Sequence, residues 1–272
     1  MGISDMNLDL NELLGEWGGT GEEVCARIID GLEGDRVLQL RVDLGLLQMF
    51  LDGRPDGQRY RGLPSVYDYF VHEEQAGGLV AAEDRRELHR ELQQYNYRRL
   101  ALSSLTEELL HERDLEQGRS FLQRTLRDIE RCLAILEKLH DNDDAVDSPL
   151  TILTPTLIFN RARLMTRLRT AENRFEDAIE EAERGVYELE LALDEAGFES
   201  DQREENPAVH YLHQMAERLR EQHGITRTLQ EQLQDAIEQE DFETAARLRD
   251  EINRRRMDEK QRQLPQAETD KQ

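Results

Sequence analysis

The chain has 272 residues, 38 % of them hydrophobic and 35 % charged, against roughly 45–50 % and 25 % in an average domain. So lean an apolar fraction excludes one large enzymatic barrel and fits long amphipathic helices, arranged as two small domains or one domain with an appendage. Acidic residues number 59 and basic ones 35, a net charge of −24 that repels polyanions, so direct binding to nucleic acid is not expected.

No run approaches the roughly eighteen apolar residues of a membrane span, and no basic start with an apolar core opens the chain. A cytoplasmic protein without membrane contact is expected. Cys25 and Cys132 are the two cysteines, too few for a closed zinc site or a disulfide framework. No cofactor and no metal are expected. The lysines are Lys138, Lys260 and Lys271, an arginine skew that a GC-rich bacterial genome would produce.

Near the N-terminus, Gly15-Glu-Trp-Gly-Gly-Thr-Gly21 lacks the Gly-Lys-Ser/Thr of a phosphate loop and the strand that precedes a dinucleotide fingerprint, so it reads as a flexible loop. From Val37 the pattern alternates: Leu38, Leu40, Val42 and Leu44 give one strand, Leu47, Met49 and Leu51 a second. The turn-forming Asp52-Gly-Arg-Pro-Asp-Gly57 follows, and Arg59-Tyr-Arg61 can start a third strand. A hairpin alone is marginal in water, so it leans on Ser65–Val71 or on the helices beyond.

After Ala81 the spacing becomes helical. Leu88, Leu92, Tyr95, Leu102, Leu105 and Leu109 form one stripe and Leu122, Leu126, Ile129, Leu133 and Leu136 the next, which predicts two antiparallel helices joined near Gly118. The acidic run Asp141–Pro149 reads as an exposed connection. A second pair follows, with Ile158, Ala162, Met165 and Leu168 before a break at Glu172–Arg174 and Phe175, Ala178, Ile179, Ala182, Val186 and Leu189 after it. Phe175, Ala178 and Ala182 somewhat resemble the second helix of a tetratricopeptide repeat, although the first helix lacks that family's aromatic and glycine positions. The polar stretch Ser200–Pro207 reads as a linker.

The most specific pattern lies at Leu229–Ile252. Leu229, Leu233, Ala236 and Ile237 stripe one short helix; Asp241 is placed to N-cap the next, which Phe242, Ala245, Leu248 and Ile252 stripe. The small pair Ala245-Ala246 lets the axes approach, and Phe242 is placed to cover the turn end. These residues, with Glu243 and Arg247-Leu-Arg-Asp-Glu-Ile252, resemble the UVR motif, the helical hairpin of the excision-repair proteins UvrB and UvrC and of bacterial protease activators and adaptors. The resemblance implies a contact surface without catalytic residues. A unit of about 30 residues buries too little to stand alone. It is expected to complete its core against a helical or UVR-like motif, on a second copy (a homodimer) or on another protein.

Other groups invite blander explanations. His210, His213 and Glu217 share a helix face but lack a third ligand and the His-Glu-x-x-His spacing. Arg41, Asp43, Asp52, Arg54 and Asp56 read as a solvated strand face and turn. Arg254-Arg-Arg256 suits the negative end of a helix dipole, and Cys25 reads as a small buried residue.

The fold expected is mainly α, α+β overall. It comprises a small unit with a β-hairpin at 1–80, a helical domain at 81–198, a linker and helix at 199–224, a UVR-like hairpin at 225–258 and a disordered tail at 259–272. The function expected is that of a non-enzymatic interaction or adaptor protein, with Leu229, Leu233, Ala236, Phe242, Ala245, Ala246, Leu248, Arg249 and Ile252 as the partner-binding residues. The alternatives are an accessory of nucleotide excision repair and an activator or adaptor of a kinase or Clp-type protease. The Cys-x-x-Cys pairs frequent in such activators are missing from this sequence.

Overall fold

The structure, a computed structural model, describes Leu14, Trp17 and residues 24–32, 34–42, 45–140 and 149–263. Strands β1 (Ala26–Asp30), β2 (Arg36–Val42) and β3 (Gly45–Phe50) form an antiparallel sheet in the order β1-β2-β3. The expected hairpin is present, with Leu38 opposite Met49 and Leu40 opposite Leu47. The third strand is not at Arg59–Arg61, where Tyr60 only bridges Leu63 within a turn. It precedes the hairpin and sets Ile28 opposite Leu38. One sheet face carries Ala26, Ile28, Leu38, Leu40, Leu47 and Met49 and packs on Ala101, Leu102 and Phe121, so the sheet does lean on the helices.

Those helices are α1 (Val66–Ala76), α2 (Ala82–His111), α3 (Leu115–His140), α4 (Pro149–Ala171), α5 (Phe175–Glu195), α6 (Ser200–Glu204), α7 (Pro207–His223), α8 (Leu229–Glu238) and α9 (Phe242–Gln263). Leu88, Leu92 and Tyr95 of α2 meet Ile129, Cys132 and Leu136 of α3, with Phe70 of α1 and Leu157 of α4 closing the cluster. α4 and α5 meet at Ala162, Val186 and Leu189. At Gly185 any Cβ would lie 2.2 Å from the Ala162 Cβ, so this crossing depends on a missing side chain. Beyond Ser200–Pro207, which holds α6 rather than an extended linker, α7 sets Leu212, Ala216 and Leu219 against α5.

The three tight helical pairs turn in the same way. Arg113, Asn173 and Glu240 take left-handed φ of 63, 59 and 57°. The next residue then donates its N–H five positions back: Asp114 to Leu109 at 2.9 Å, Arg174 to Arg169 at 2.9 Å and Asp241 to Ala236 at 2.8 Å. These bonds satisfy carbonyls left over at a helix end. The first junction is therefore at 112–114 and not near Gly118. That glycine lies inside α3, where a Cβ would meet the Leu110 Cδ2 at 3.0 Å, so it marks a close approach and not a turn.

The body also buries charge, which a strongly polar sequence conceals. Arg98 and Asp128 have no exposed side-chain surface and join at 2.7 Å, while Arg98 Nη1 donates to the Phe50 carbonyl at 2.8 Å. Glu91 is buried and accepts the N–H groups of Val66 and Tyr67 at 2.7 and 3.2 Å. Burial pushes its carboxyl up despite those bonds and the nearby Arg54. Arg54 corrects the expectation of a solvated turn: it is buried and pairs with Asp56 at 3.2 Å and Glu91 at 3.4 Å. Asp52 pairs with Arg127 at 2.7 Å, and Arg41 donates to the Trp17 carbonyl at 2.8 Å. Leu44, Asp43, the run 141–148, the tail 264–272 and all of the glycine run except Trp17 lie outside the described residues. The helix α9 continues through residues 259–263. Among the described residues no helix is long and apolar enough to cross a membrane.

Candidate protein interface

The C-terminal hairpin begins where α7 stops. Gly224, with φ 65°, ends α7, and Ile225 packs into the α5–α7 cluster. Thr228 then opens α8 through a capping box: its hydroxyl accepts the Glu231 N–H at 3.3 Å, and its own N–H donates to Glu231 at 2.5 Å. Three charged residues tie this start to the body. Arg220 of α7 donates to Glu231 at 2.8 Å and also to Glu183 of α5. Burial pushes the Glu231 carboxyl up, but the Arg220 guanidinium and the Thr228 N–H outweigh it and hold it below the ordinary range. Glu180 of α5 accepts from the Gln230 N–H and the Thr228 hydroxyl, yet burial and nearby Asp177 keep its carboxyl above the ordinary range.

The hairpin's own core is small. Ala236, Ala245 and Leu248 are buried, with Leu229 and Leu233 packed against them. Ile252 is half-buried, while Ala246 and Arg249 are exposed. Arg249 pairs at the surface with Asp250 at 3.3 Å. Asp241 caps α9 as expected, accepting the Thr244 N–H at 3.1 Å. Two residues depart from the expected stripes: Phe242 is 69 % exposed and Ile237 47 %. Phe242 does not cover the turn end, because the tight turn at Glu240 sends its side chain outward while Ala245 and Leu248 point in. Of the small pair, only Ala245 sits at the helix crossing. The family comparison matches this segment.

Residues 225–255 are a UVR motif, described as the UvrB/uvrC motif. No curated protein and no solved structure matches the chain. The matched stretch includes Ile225, Thr228 and Glu231 as well as the apolar stripes, so the motif's own half of the junction lies within it, while Arg220, Glu180 and Glu183 lie outside it. The comparison does not show the tetratricopeptide-like resemblance expected for the helical pair at 158–189.

The expected interface residues thus fall into two sets. Leu229, Leu233, Ala236, Ala245 and Leu248 converge between the two helices, Ile252 is half-buried outside that cluster, and Phe242, Ala246 and Arg249 recur at four- and three-residue steps on the outer side of α9. Ile237 was readable only as a stripe residue. Glu180 and Glu183 lie over 40 residues before the motif, and Arg220, just ahead of it, sits at the end of another helix with no local pattern that names its partner.

The remaining candidates are placed as follows. His210 and His213 are exposed, Glu217 pairs with Arg220 at 3.8 Å, and among the described residues no group of acidic, histidine or cysteine side chains could hold a metal. Arg254 pairs with Glu251. Cys25 is half-buried rather than buried, and Cys132 is buried with its thiol pushed up to about 12 by burial.

Proposed function

We propose that the protein is a non-catalytic adaptor whose UVR motif docks a helical or UVR-like motif of a protein partner. The observation that carries this is the inversion of the hairpin: small alanines are buried while Phe242, its largest apolar residue, stands 69 % exposed beside Ile237. Exposed aromatic side chains of this kind supply much of the energy of protein contacts when a partner desolvates them. The hairpin stands on a body of its own, so it presents this surface without giving up its fold. The description of the matched motif favours one partner class in particular, an excision-repair protein that carries the UvrB/uvrC motif. A Clp-type protease or kinase system is the other adaptor setting.

A pull-down from cell extract, with immobilised parent and Phe242→Asp proteins compared by mass spectrometry, tests the proposal. The parent is expected to retain proteins bearing a UVR-like hairpin, repair subunits among them, and the variant to lose them. A charge in a desolvated aromatic site costs several kcal/mol, on the order of 3. Equal recovery by both proteins would overturn the docking role. Retention on random duplex DNA in a mobility-shift titration at moderate salt would oppose the expectation set by the net charge of −24.

A further inference from the structure

The strand β3 forms one edge of the sheet, and the main-chain bonds show which of its groups face outward. The Arg41 N–H donates to the Cys25 carbonyl at 2.9 Å, so Val37, Gln39 and Arg41 turn their main-chain groups toward β1. By alternation, Leu38, Leu40 and Val42 turn theirs toward β3, where the partners are Met49, Leu47 and Gly45. Leu46, Gln48 and Phe50 therefore point main-chain groups away from the sheet. Those of Phe50 are taken: its N–H donates to the Pro55 carbonyl at 2.9 Å and its carbonyl accepts from Arg98 at 2.8 Å. The N–H and C=O groups of Leu46 and Gln48 meet no partner among the described residues.

Proteins ordinarily blunt such an edge with charge, proline or a bulge. Gly45-Leu-Leu-Gln-Met-Phe50 has none of these, in a chain that is 35 % charged. We propose that β3 is a self-association edge, on which two copies of the chain pair their β3 strands antiparallel about a two-fold axis through Leu47.

Geometry selects both the register and the occupant. A two-fold axis normal to the sheet keeps core-side residues on the core side, so either Leu47 meets Leu47 of the second copy or Gln48 meets Gln48. Centring on Gln48 would set Leu46 against Phe50, whose main-chain groups are already used. Centring on Leu47 sets Leu46 against Gln48 twice, and all four free N–H and C=O pairs are satisfied. The core side then has Leu47 opposite Leu47, and the other side has Leu46 opposite Gln48. Gln48 is held in line for this, because it accepts from Gln39 at 3.1 Å, which in turn accepts from Arg27 at 2.9 Å. Two chains of net charge −24 repel least where they meet along an uncharged strand. A foreign strand would gain the same main-chain bonds but would find no charge on β3 by which to be chosen.

The full-length protein, followed by light scattering after size exclusion over a wide concentration range, is expected to show twice the monomer mass. Gln48→Pro removes the outward N–H and the side-chain acceptor of Gln39 but no bond between β3 and β2 main chains, so it should return the mass to the monomer with an unchanged circular dichroism spectrum. Leu46→Lys gives the same readout if the proline variant folds poorly. Leu47→Cys in a Cys25→Ser background should form an intermolecular disulfide on oxidation, since facing residues of a non-hydrogen-bonded pair lie about 4.5 Å apart at Cα. Leu46→Cys, which would face Gln48, should not. Phe242→Asp should leave the mass doubled. A monomer at every concentration, a dimer that survives both edge variants, or a dimer lost in Phe242→Asp would each overturn the proposal, the last by transferring self-association to the UVR motif.

Discussion

The body and the UVR motif use apolar and polar side chains in opposite ways. In the body, large side chains such as Phe70, Leu88, Ile129 and Leu164 are sealed inside together with a complete ion pair, Arg98 and Asp128. In the motif the sealed apolar residues are Ala236, Ala245 and Leu248, and the aromatic ring is outside. A helix pair can thus be closed with very little core if another part of the chain anchors it. The anchor here is the Arg220, Glu180 and Glu183 cluster, and the apolar surface thereby spared stays exposed at Phe242 and Ile237.

Five measurements would break or sharpen that contrast. The largest effect is expected from Asp128→Ala, which strands the Arg98 guanidinium in the core; removing one partner of a buried pair costs about 3–5 kcal/mol. A chemical denaturation curve should show it as a global loss, and an effect under about 1 kcal/mol would mean that water reaches Arg98.

Next comes Gly185→Ala. Its Cβ would fall 2.2 Å from that of Ala162, forcing α4 and α5 apart at a cost of roughly 1–3 kcal/mol. The companion change Ala162→Gly should recover most of the loss in thermal melts. No recovery would place the strain elsewhere.

How much of this was legible in the sequence depended on whether a residue's role is local. The helices, the break at 172–174 and the Asp241 cap follow from short-range spacing, and the UVR motif is itself a local pattern. β1 was missed because Ile28 and Ile29 are adjacent and hide its alternation. Arg54, Arg98 and Asp128 were read as solvent-facing or passed over, because their burial depends on partners tens of residues away. Phe242 was placed inside the hairpin because it shares the helical period of Leu248. The left-handed turn at Glu240, on which its outward position depends, has no glycine to announce it.

A smaller effect is expected at the junction. Thr228→Ala removes the hydroxyl that caps α8 and bonds Glu180, costing about 1 kcal/mol, and hydrogen exchange should localise it to residues 225–255 with the body unchanged. Acid should act on the same place. The Glu231 carboxyl lies below its ordinary range, so its stabilisation is present above the ordinary value of 4.5 and is lost as pH falls through the lowered value. Exchange protection of α8 in the parent should therefore fall as pH drops below that value, whereas Arg220→Gln, which loses the main cause of the shift, should start with lower protection and show a flatter acid profile.

The smallest effect is expected from Phe242→Ser. With the ring already exposed, the melting curve should move by no more than about 0.5 kcal/mol, whereas a larger shift would mean that the ring belongs to the hairpin's own core.

Arg98 also bears on the order of folding. Its guanidinium binds Asp128 of α3 and the Phe50 carbonyl of β3, positions 30 and 48 residues away in the chain. Until both arrive, it is a charge that water holds better than the protein does. The α2–α3 pair and the sheet are therefore expected to consolidate in one barrier crossing, with the long loops between them setting the rate. The UVR motif, whose own apolar core lies within 229–248, has only short loops to close, and it is expected to consolidate once its anchor of Arg220, Glu180 and Glu183 is in place.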